Sequence, residues 1–241
     1  MALRIFDTDP DAKPRPRQSY ADDVVGRFRS GRMVGRRPES LSEWRVTTGD
    51  PLVAARIAAL FGGTPEEWDT DSEESTEILT TASTVRVVIT GTSAISSDMR
   101  LYGATGSEPL HWCDGVEFQD DEQKGQPCGC PALLADRKAL AKTGKGPKPQ
   151  ISLLFKLEAD PDLGLWRFRS GSWSLASHLH ETLEALDAID GSAVAELTLQ
   201  YTEFTIKNGP KKGTVVSYTE PVIKVIGVYA AAGNAELPAA A

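Results

Sequence analysis

Long apolar runs are missing from this chain of 241 residues. No stretch approaches the roughly 18 consecutive apolar residues that a membrane-spanning helix requires. The N-terminal residues 1–18 (MALRIFDTDPDAKPRPRQ) contain acidic residues and prolines where a secretory signal would have an apolar core. We therefore expect no membrane contact, a cytoplasmic location and reduced thiols.

Motifs for nucleotide binding and nucleophilic catalysis are missing as well. The sequence has neither a Walker-type phosphate loop nor a Rossmann glycine fingerprint, and it lacks the G-x-S-x-G turn of serine hydrolases. His178 and His180 lie two residues apart, so on a helix their side chains would point about 200° apart and not share a metal ion. These absences favour a protein that is not an enzyme and acts by binding. A metal-dependent hydrolase is an alternative that would need an open metal position.

Charge is unevenly distributed along the chain. The 34 acidic and 26 basic residues give a net charge of −8, which argues against a protein that coats nucleic acid by charge alone. Eight arginines nevertheless make residues 15–45 basic, and seven acidic residues follow within residues 66–77. Such blocks are typical of solvated surface, or of a surface that docks onto a charged protein or a protein–DNA complex.

The order of the predicted elements indicates an α+β fold with antiparallel hairpins and a few packed helices. Asp50 and Pro51 form a typical N-cap and first-turn pair, which predicts a helix that ends at the glycines 62–63. The same cue at Thr64 and Pro65 predicts a second, short helical start. Apolar spacing predicts a helix over residues 172–189, and Pro131 predicts one over residues 132–142.

Alternating apolar residues predict strands at 85–89, 99–102, 151–157 and 165–168. Residues 194–207 and 214–228 are predicted to form a long hairpin around NGPKKG, and Pro221 favours a sheet edge or a bulge for its second arm. We expect flexible segments at residues 1–23 and 230–241. Between them we expect one domain, residues 24–229, with a small Cys-rich insertion at about 104–148.

Three cysteines gather around an acidic loop and are the strongest chemical cue. Cys113 precedes the loop, Cys128 and Cys130 follow it, and His111 stands two residues before the first cysteine. Three thiolates and one imidazole form a complete donor set for a structural zinc ion, with no position left for water. Gly129 would let the chain turn so that both flanking sulfurs face inward. The alternative is three reduced thiols packed as small hydrophobic side chains, with His111 at the surface.

A second cue is the basic string GRFRSGRMVGRRPESLSEWRVTTGDP at residues 26–51. Its arginines, interleaved with an aromatic residue, are typical of phosphate or single-strand binding, and equally of a hairpin edge whose arginines face solvent. The candidate partner-binding residues are Arg27, Arg29, Arg32, Arg36 and Arg37.

The basic string at residues 26–51 resembles part of a family of early proteins from temperate phages of actinobacteria. Four further segments share the resemblance: CDGVEF (113–118), QPCGCP (126–131), the dipeptide Lys148-Pro149 and GLWRFRSGSW (164–173). Members act as recombination directionality factors for large serine integrases. The resemblance spans about residues 20–228. The family pattern often has a further cysteine just before the Lys-Pro dipeptide, where this chain has Pro147. Either His111 replaces that ligand or the metal has been lost.

The resemblance implies a specific function. Such a factor binds the DNA-bound integrase near its coiled-coil region and switches it from integration to excision, which recombines the two hybrid sites attL and attR. It works in the cytoplasm of the bacterial host, needs no catalytic residue and is expected to read no DNA sequence itself. Besides the arginines, the helix predicted over residues 172–189 is a candidate docking surface. A second hypothesis is a zinc-containing, single-strand-binding or DNA-metabolism accessory protein of a phage.

Overall fold

The computed structural model describes residues 24–35, 37–68, 70, 73–103, 106, 108–209 and 212–230. The segments 1–23 and 231–241, for which the sequence predicts flexibility, lie outside these residues. The described part is a mixed α+β fold made mostly of strands, as predicted. The strands are β1 (Val24–Val34), β2 (Arg37–Thr48), β3 (Pro65–Glu67), β4 (Thr76–Leu79), β5 (Thr84–Ile89), β6 (Ile95–Tyr102), β7 (Pro109–Cys113), β8 (Lys148–Leu157), β9 (Leu165–Ser170), β10 (Ala193–Thr205) and β11 (Val215–Val228).

Three α-helices occur among the described residues: α1 (Pro51–Phe61), α2 (Leu134–Lys142) and α3 (Trp173–Asp187). Asp50 caps α1 as predicted, since its carboxylate accepts from the backbone N–H of Leu52 at 2.7 Å. Ser172 caps α3 in the same way, accepting from the N–H of Leu175 at 3.2 Å. The prediction of a helical start at Thr64-Pro65 is wrong. Those residues lead into β3, because their backbone pairs with β4, with Pro65 opposite Ile78.

The strands form one strongly curved sheet in the order β11-β10-β5-β8-β9-β1-β2-β4-β3, with β6 paired to β8 and β7 to β6. Most neighbours are antiparallel, but β1 and β9 run parallel. The long hairpin of β10 and β11 is present as predicted, with Pro221 in the edge strand β11. The predicted pair of β8 and β9 is also present, and Ile151 lies opposite Ser170.

The sheet curls around an aromatic core. The loop 80–83 links β2 to β10, because its backbone carbonyls accept from the backbone N–H groups of both strands: Ala82 accepts from Trp44 at 2.9 Å and Ser83 from Leu199 at 2.8 Å. Inside lie fully buried rings that pack edge to face with centroids 5.2–5.9 Å apart: Phe28, Trp44, Phe155, Trp166 and Phe168. Helix α1 covers β2 and β4, and α3 covers β11.

Candidate metal centre and arginine surface

The four predicted metal ligands lie together in one cluster. Their donor atoms, the three Cys Sγ atoms and one ring nitrogen of His111, are all within 4.8 Å of one another. Cys113 Sγ lies 3.8 Å from Cys130 Sγ, and Cys130 Sγ lies 3.4 Å from His111 Nε2. A tetrahedral site with zinc–sulfur bonds of about 2.3 Å and zinc–nitrogen bonds of about 2.0 Å separates sulfurs by about 3.8 Å and sulfur from nitrogen by about 3.5 Å. The donor set therefore fits a closed, structural metal site.

Local backbone geometry brings the ligands together. His111 and Cys113 lie at alternate positions at the end of β7, so their side chains leave the same face of the strand. The chain then doubles back, and the Cys128 N–H donates to the Val116 carbonyl at 2.8 Å. Gly129 has φ of +70°, a conformation that other residues rarely adopt, and this turn places Cys130 beside Cys113.

Surrounding side chains bury two of the four ligands, Cys113 and Cys128, and hold the loop of the cluster, while His111 and Cys130 are half-buried. Met99 is buried with Cys113 and Cys128, and Phe118 and Trp173 pack against them. Arg137 of α2 donates through Nη2 to the Gly115 carbonyl at 2.7 Å and through Nε to the Pro131 carbonyl, which ties the helix to both sides of the loop. Asp114 accepts from the N–H groups of Val116 and Glu117, both at 2.8 Å.

Burial sets the protonation of the ligands. It raises the pKa of Cys113 to about 12 and also raises the pKa of Cys130. It lowers the pKa of His111, so the imidazole is neutral at neutral pH and has a free lone pair. Without a cation the thiols of Cys113 and Cys130 stay protonated, so a bound metal ion would have to displace their protons.

The candidate partner-binding arginines do not form one free surface. They belong to the hairpin of β1 and β2, and Arg36 lies outside the described residues. Arg27 and Arg29 both pair with Glu74, at 2.7 and 3.2 Å. Arg32 pairs with Glu39 at 2.8 Å, and Arg37 is exposed.

The acidic block folds over the basic hairpin. Glu74 also accepts from the Thr47 hydroxyl at 2.7 Å, and Glu77 pairs with Arg45, which stacks 4.4 Å over the Trp68 ring. The two charge blocks of the sequence therefore partly neutralise each other within the chain. Sequence reasoning missed this pairing, because ion pairs between residues 32 to 47 positions apart leave no local signal.

Two further arginines on this face were missed by sequence reasoning. Arg167 and Arg169 alternate with the core residues Trp166 and Phe168 along β9, so they lie on the opposite face of the strand. Arg167 lies beside Arg27 in the parallel register of β1 and β9. The alternation of aromatic and charged residues in WRFRS indicates that the two arginines share one face of the strand. It does not indicate which strand lies beside β9.

A second exposed feature is the distal half of the β10–β11 hairpin, residues 200–205 and 215–220, here called the ribbon. The ladder between β10 and β5 ends at Thr198, while β10 and β11 stay paired as far as Thr205 and Val215. The ribbon exposes four large apolar side chains: Tyr201, Phe204, Val215 and Tyr218. Phe204 and Tyr218 pack edge to face at 6.3 Å. The register places Phe204 and Tyr218 on one face of the ribbon and Tyr201 and Val215 on the other. Exposed apolar side chains on such an element are typical of interaction surfaces.

None of the helices in the described part of the chain is long and apolar enough to cross a membrane. Comparison with solved structures finds no match. A family model described as Gp3-like, recombination directionality factor-like, matches residues 25–226. This match covers every strand but the ends of β1 and β11, together with the Cys-rich loop and the ribbon. The chain therefore belongs to the Gp3-like family of recombination directionality factor-like proteins.

Proposed function

We propose that this protein is a recombination directionality factor that binds a large serine integrase on its attachment-site DNA and switches it from integration to excision. The observation that carries this proposal is the family match over residues 25–226. The net charge of −8 also favours docking to a protein over reading DNA. The site of action is then the cytoplasm of the bacterial host.

The proposed switch is a matter of differential binding. A partner shifts an equilibrium between two arrangements only as far as it binds one more tightly than the other. A preference of about 3 kcal/mol for the excision-competent arrangement of the integrase would shift the balance over a hundredfold. In this scheme the integrase carries out all bond breaking, and the factor contributes no catalytic residue.

We further infer that the cluster of His111, Cys113, Cys128 and Cys130 holds a structural zinc ion. The support is the donor set and its spacing, which match a tetrahedral Cys3His site. In that arrangement His111 supplies the ligand that a further cysteine supplies in the family pattern. The ion would order residues 114–133, whose own apolar content is small.

The ribbon is our proposed contact with the integrase coiled coils. Its support is four exposed apolar side chains on an element that extends beyond the sheet. Aromatic residues dominate the energetics of protein interfaces, which makes Phe204 and Tyr218 the proposed anchors. Of the basic candidates, Arg32 and Arg37 remain exposed, whereas Arg27 and Arg29 are engaged by Glu74.

Recombination in vitro tests the proposed function. Purified protein, an integrase and DNA carrying the two hybrid attachment sites are incubated together, and recombinant product is measured. We expect product only when the protein is present, and less product from the original pair of sites. If the hybrid sites stay unreacted at saturating protein with every integrase from related phages, the proposal is wrong. Salt-dependent binding to naked DNA without integrase would favour an accessory DNA-binding role instead.

Matched variants test the docking surface. Phe204→Ser combined with Tyr218→Ser should weaken capture of DNA-bound integrase at least tenfold, because both anchors are lost. The control is Leu52→Ser, which removes an even more exposed apolar side chain from α1. A second arm uses integrase that lacks its coiled-coil region, which should no longer be captured. Equal capture by the double variant and the control would rule out the ribbon as the contact.

A further inference from the structure

A polar cleft of about 1000 Å³ lies on the outer face of β1, β9, β8 and β6. It is distinct from the metal cluster and from the ribbon, and shares no lining residue with either. The side chains that matter for its chemistry are the cations and hydroxyls Arg27, Arg167, Arg169, Ser96 and Ser152. The sheet registers place Arg169 opposite Ser152 and Ser152 opposite Ser96, so these groups form a continuous row across three strands.

Arg167 is the unusual member of this row. Its side chain is only 6% exposed, yet its Nε has no hydrogen-bond partner, and no ion pair joins it to any residue in the described ranges. Burial lowers its pKa, the neighbouring charges of Arg169 and Arg27 lower it further, and the nearby carboxylate of Glu74 offsets only part of this effect. The Nε of Arg27 is buried without a partner too. A buried guanidinium that forms no ion pair is costly, so its retention indicates that an anion completes the site.

Three of the four carboxylates that line the cleft are engaged by other groups. Asp98 is held by the guanidinium of Arg100 and by Trp112 Nε1 at 2.9 Å. Glu74 binds Arg27, Arg29 and Thr47. Asp50 caps α1. Glu73 is exposed at the rim. Among the described residues, therefore, none of these acids forms an ion pair with Arg167 or Arg169.

We propose that this cleft binds the carboxylate of one acidic side chain of the recombinase, held by Arg167 and Arg169 with Ser96 and Ser152 as further donors. A guanidinium presents paired N–H groups that match a carboxylate. The four carboxylates that line the same cleft disfavour the binding of a DNA backbone, because they would repel its consecutive phosphates at close range. A single carboxylate can be held by Arg167 and Arg169, neither of which forms an ion pair within the part of the chain that the structure describes. The identity of the partner rests on the proposed function; the anion site itself does not.

Arg167→Met is the principal test, because it separates binding from folding. Replacing a buried, unpaired charge by an apolar side chain of similar length should leave the melting temperature unchanged or raise it. The same variant should weaken binding to DNA-bound recombinase about tenfold or more, since a charge-assisted hydrogen-bond pair is lost. Arg169→Gln should weaken binding less. The control is Arg86→Gln, an exposed arginine on β5, which should change binding less than twofold. A lower melting temperature with unchanged binding would make Arg167 a structural residue and overturn the proposal.

A second measurement examines the site without the recombinase. The Nε–Hε signal of Arg167 is followed by NMR while acetate, inorganic phosphate or a DNA duplex is added. We expect acetate to shift this signal in the wild-type protein, and the absence of the signal from Arg167→Met assigns it to Arg167. A stronger response to phosphate or to the duplex would overturn the carboxylate assignment, and no response to any probe would overturn the anion site. If acetate shifts the signal but the wild-type protein binds no recombinase, the proposed function fails while the anion site stands.

Discussion

Replacing Cys128 by serine should empty the metal centre and loosen the Cys-rich loop while leaving the sheet intact. Cys128 is buried, and its backbone N–H holds the loop closed through the Val116 carbonyl at 2.8 Å. Serine preserves the size of the side chain and this backbone hydrogen bond. Its hydroxyl is not among the ligands that zinc takes in such sites, so the tetrahedron loses one corner.

The expected magnitude follows from mass action. Zinc present at a thousandfold excess over its dissociation constant stabilises the form that binds it by about 4 kcal/mol. This free energy corresponds to roughly a thousandfold change in amide exchange within the loop. The reporters are the N–H groups of Cys128 and of Phe118, which donates to the Gln126 carbonyl at 2.9 Å.

The packing predicts that loss of the zinc ion destabilises only the Cys-rich loop and not the sheet. Met99, Cys113 and Cys128 form a buried cluster of their own, separate from the main core around Phe28 and Trp44. If the loop unfolded together with the sheet, 4 kcal/mol would lower the melting temperature by about 8–16 °C in a domain of this size. We expect a much smaller shift, with the amides of Trp44 and Leu199 still protected.

The assay combines metal analysis, amide exchange and thermal unfolding of the wild type and variant purified without chelator. Val116→Ala, an exposed change in the same loop, serves as the control and should keep one zinc ion per chain. The reasoning is refuted if Cys128→Ser retains a full equivalent of zinc. It is equally refuted if the Trp44 and Leu199 amides lose protection together with the loop.

Three further changes probe the fold. Trp44→Ala removes a fully buried ring that packs on Phe28 and Phe168, and should lower the free energy of unfolding by about 3–5 kcal/mol in urea titrations; a loss below 1 kcal/mol would contradict the packing. Asp50→Ala removes the N-cap of α1 and should lower the free energy of unfolding by about 1 kcal/mol, seen as a lower melting temperature. The control is Asp187→Ala at the C-terminal end of α3, which should lower the free energy of unfolding less. Glu74→Gln removes the carboxylate that Arg27 and Arg29 share and should lower the free energy of unfolding by about 1–3 kcal/mol in urea titrations. Unchanged stability would mean that the arginines turn to solvent instead.

Elements with local signals were predictable from the sequence. Helix α1 is specified by Asp50 at its N-cap and Gly62 at its end, and the β10–β11 hairpin by alternation on both sides of NGPKKG. The metal ligands were also predictable as a set, because thiols and an imidazole in a short stretch have few other uses. The same local reasoning failed at Thr64-Pro65, where a helix-start signal lost to backbone pairing with β4.

The sequence by itself determined the helix caps, the hairpin, the α+β class and the residue types of the Cys-rich cluster, since each depends on neighbours a few positions apart. Only the tertiary structure decided that β1 lies parallel to β9 across more than a hundred intervening residues, that Glu74 pairs with Arg27 and Arg29, and that Arg167 is buried with no ion pair to any described residue. Those outcomes depend on which strands pair when the sheet curls around its aromatic core. Many alternative pairings satisfy the same local pattern, and only the packing of the whole chain selects among them.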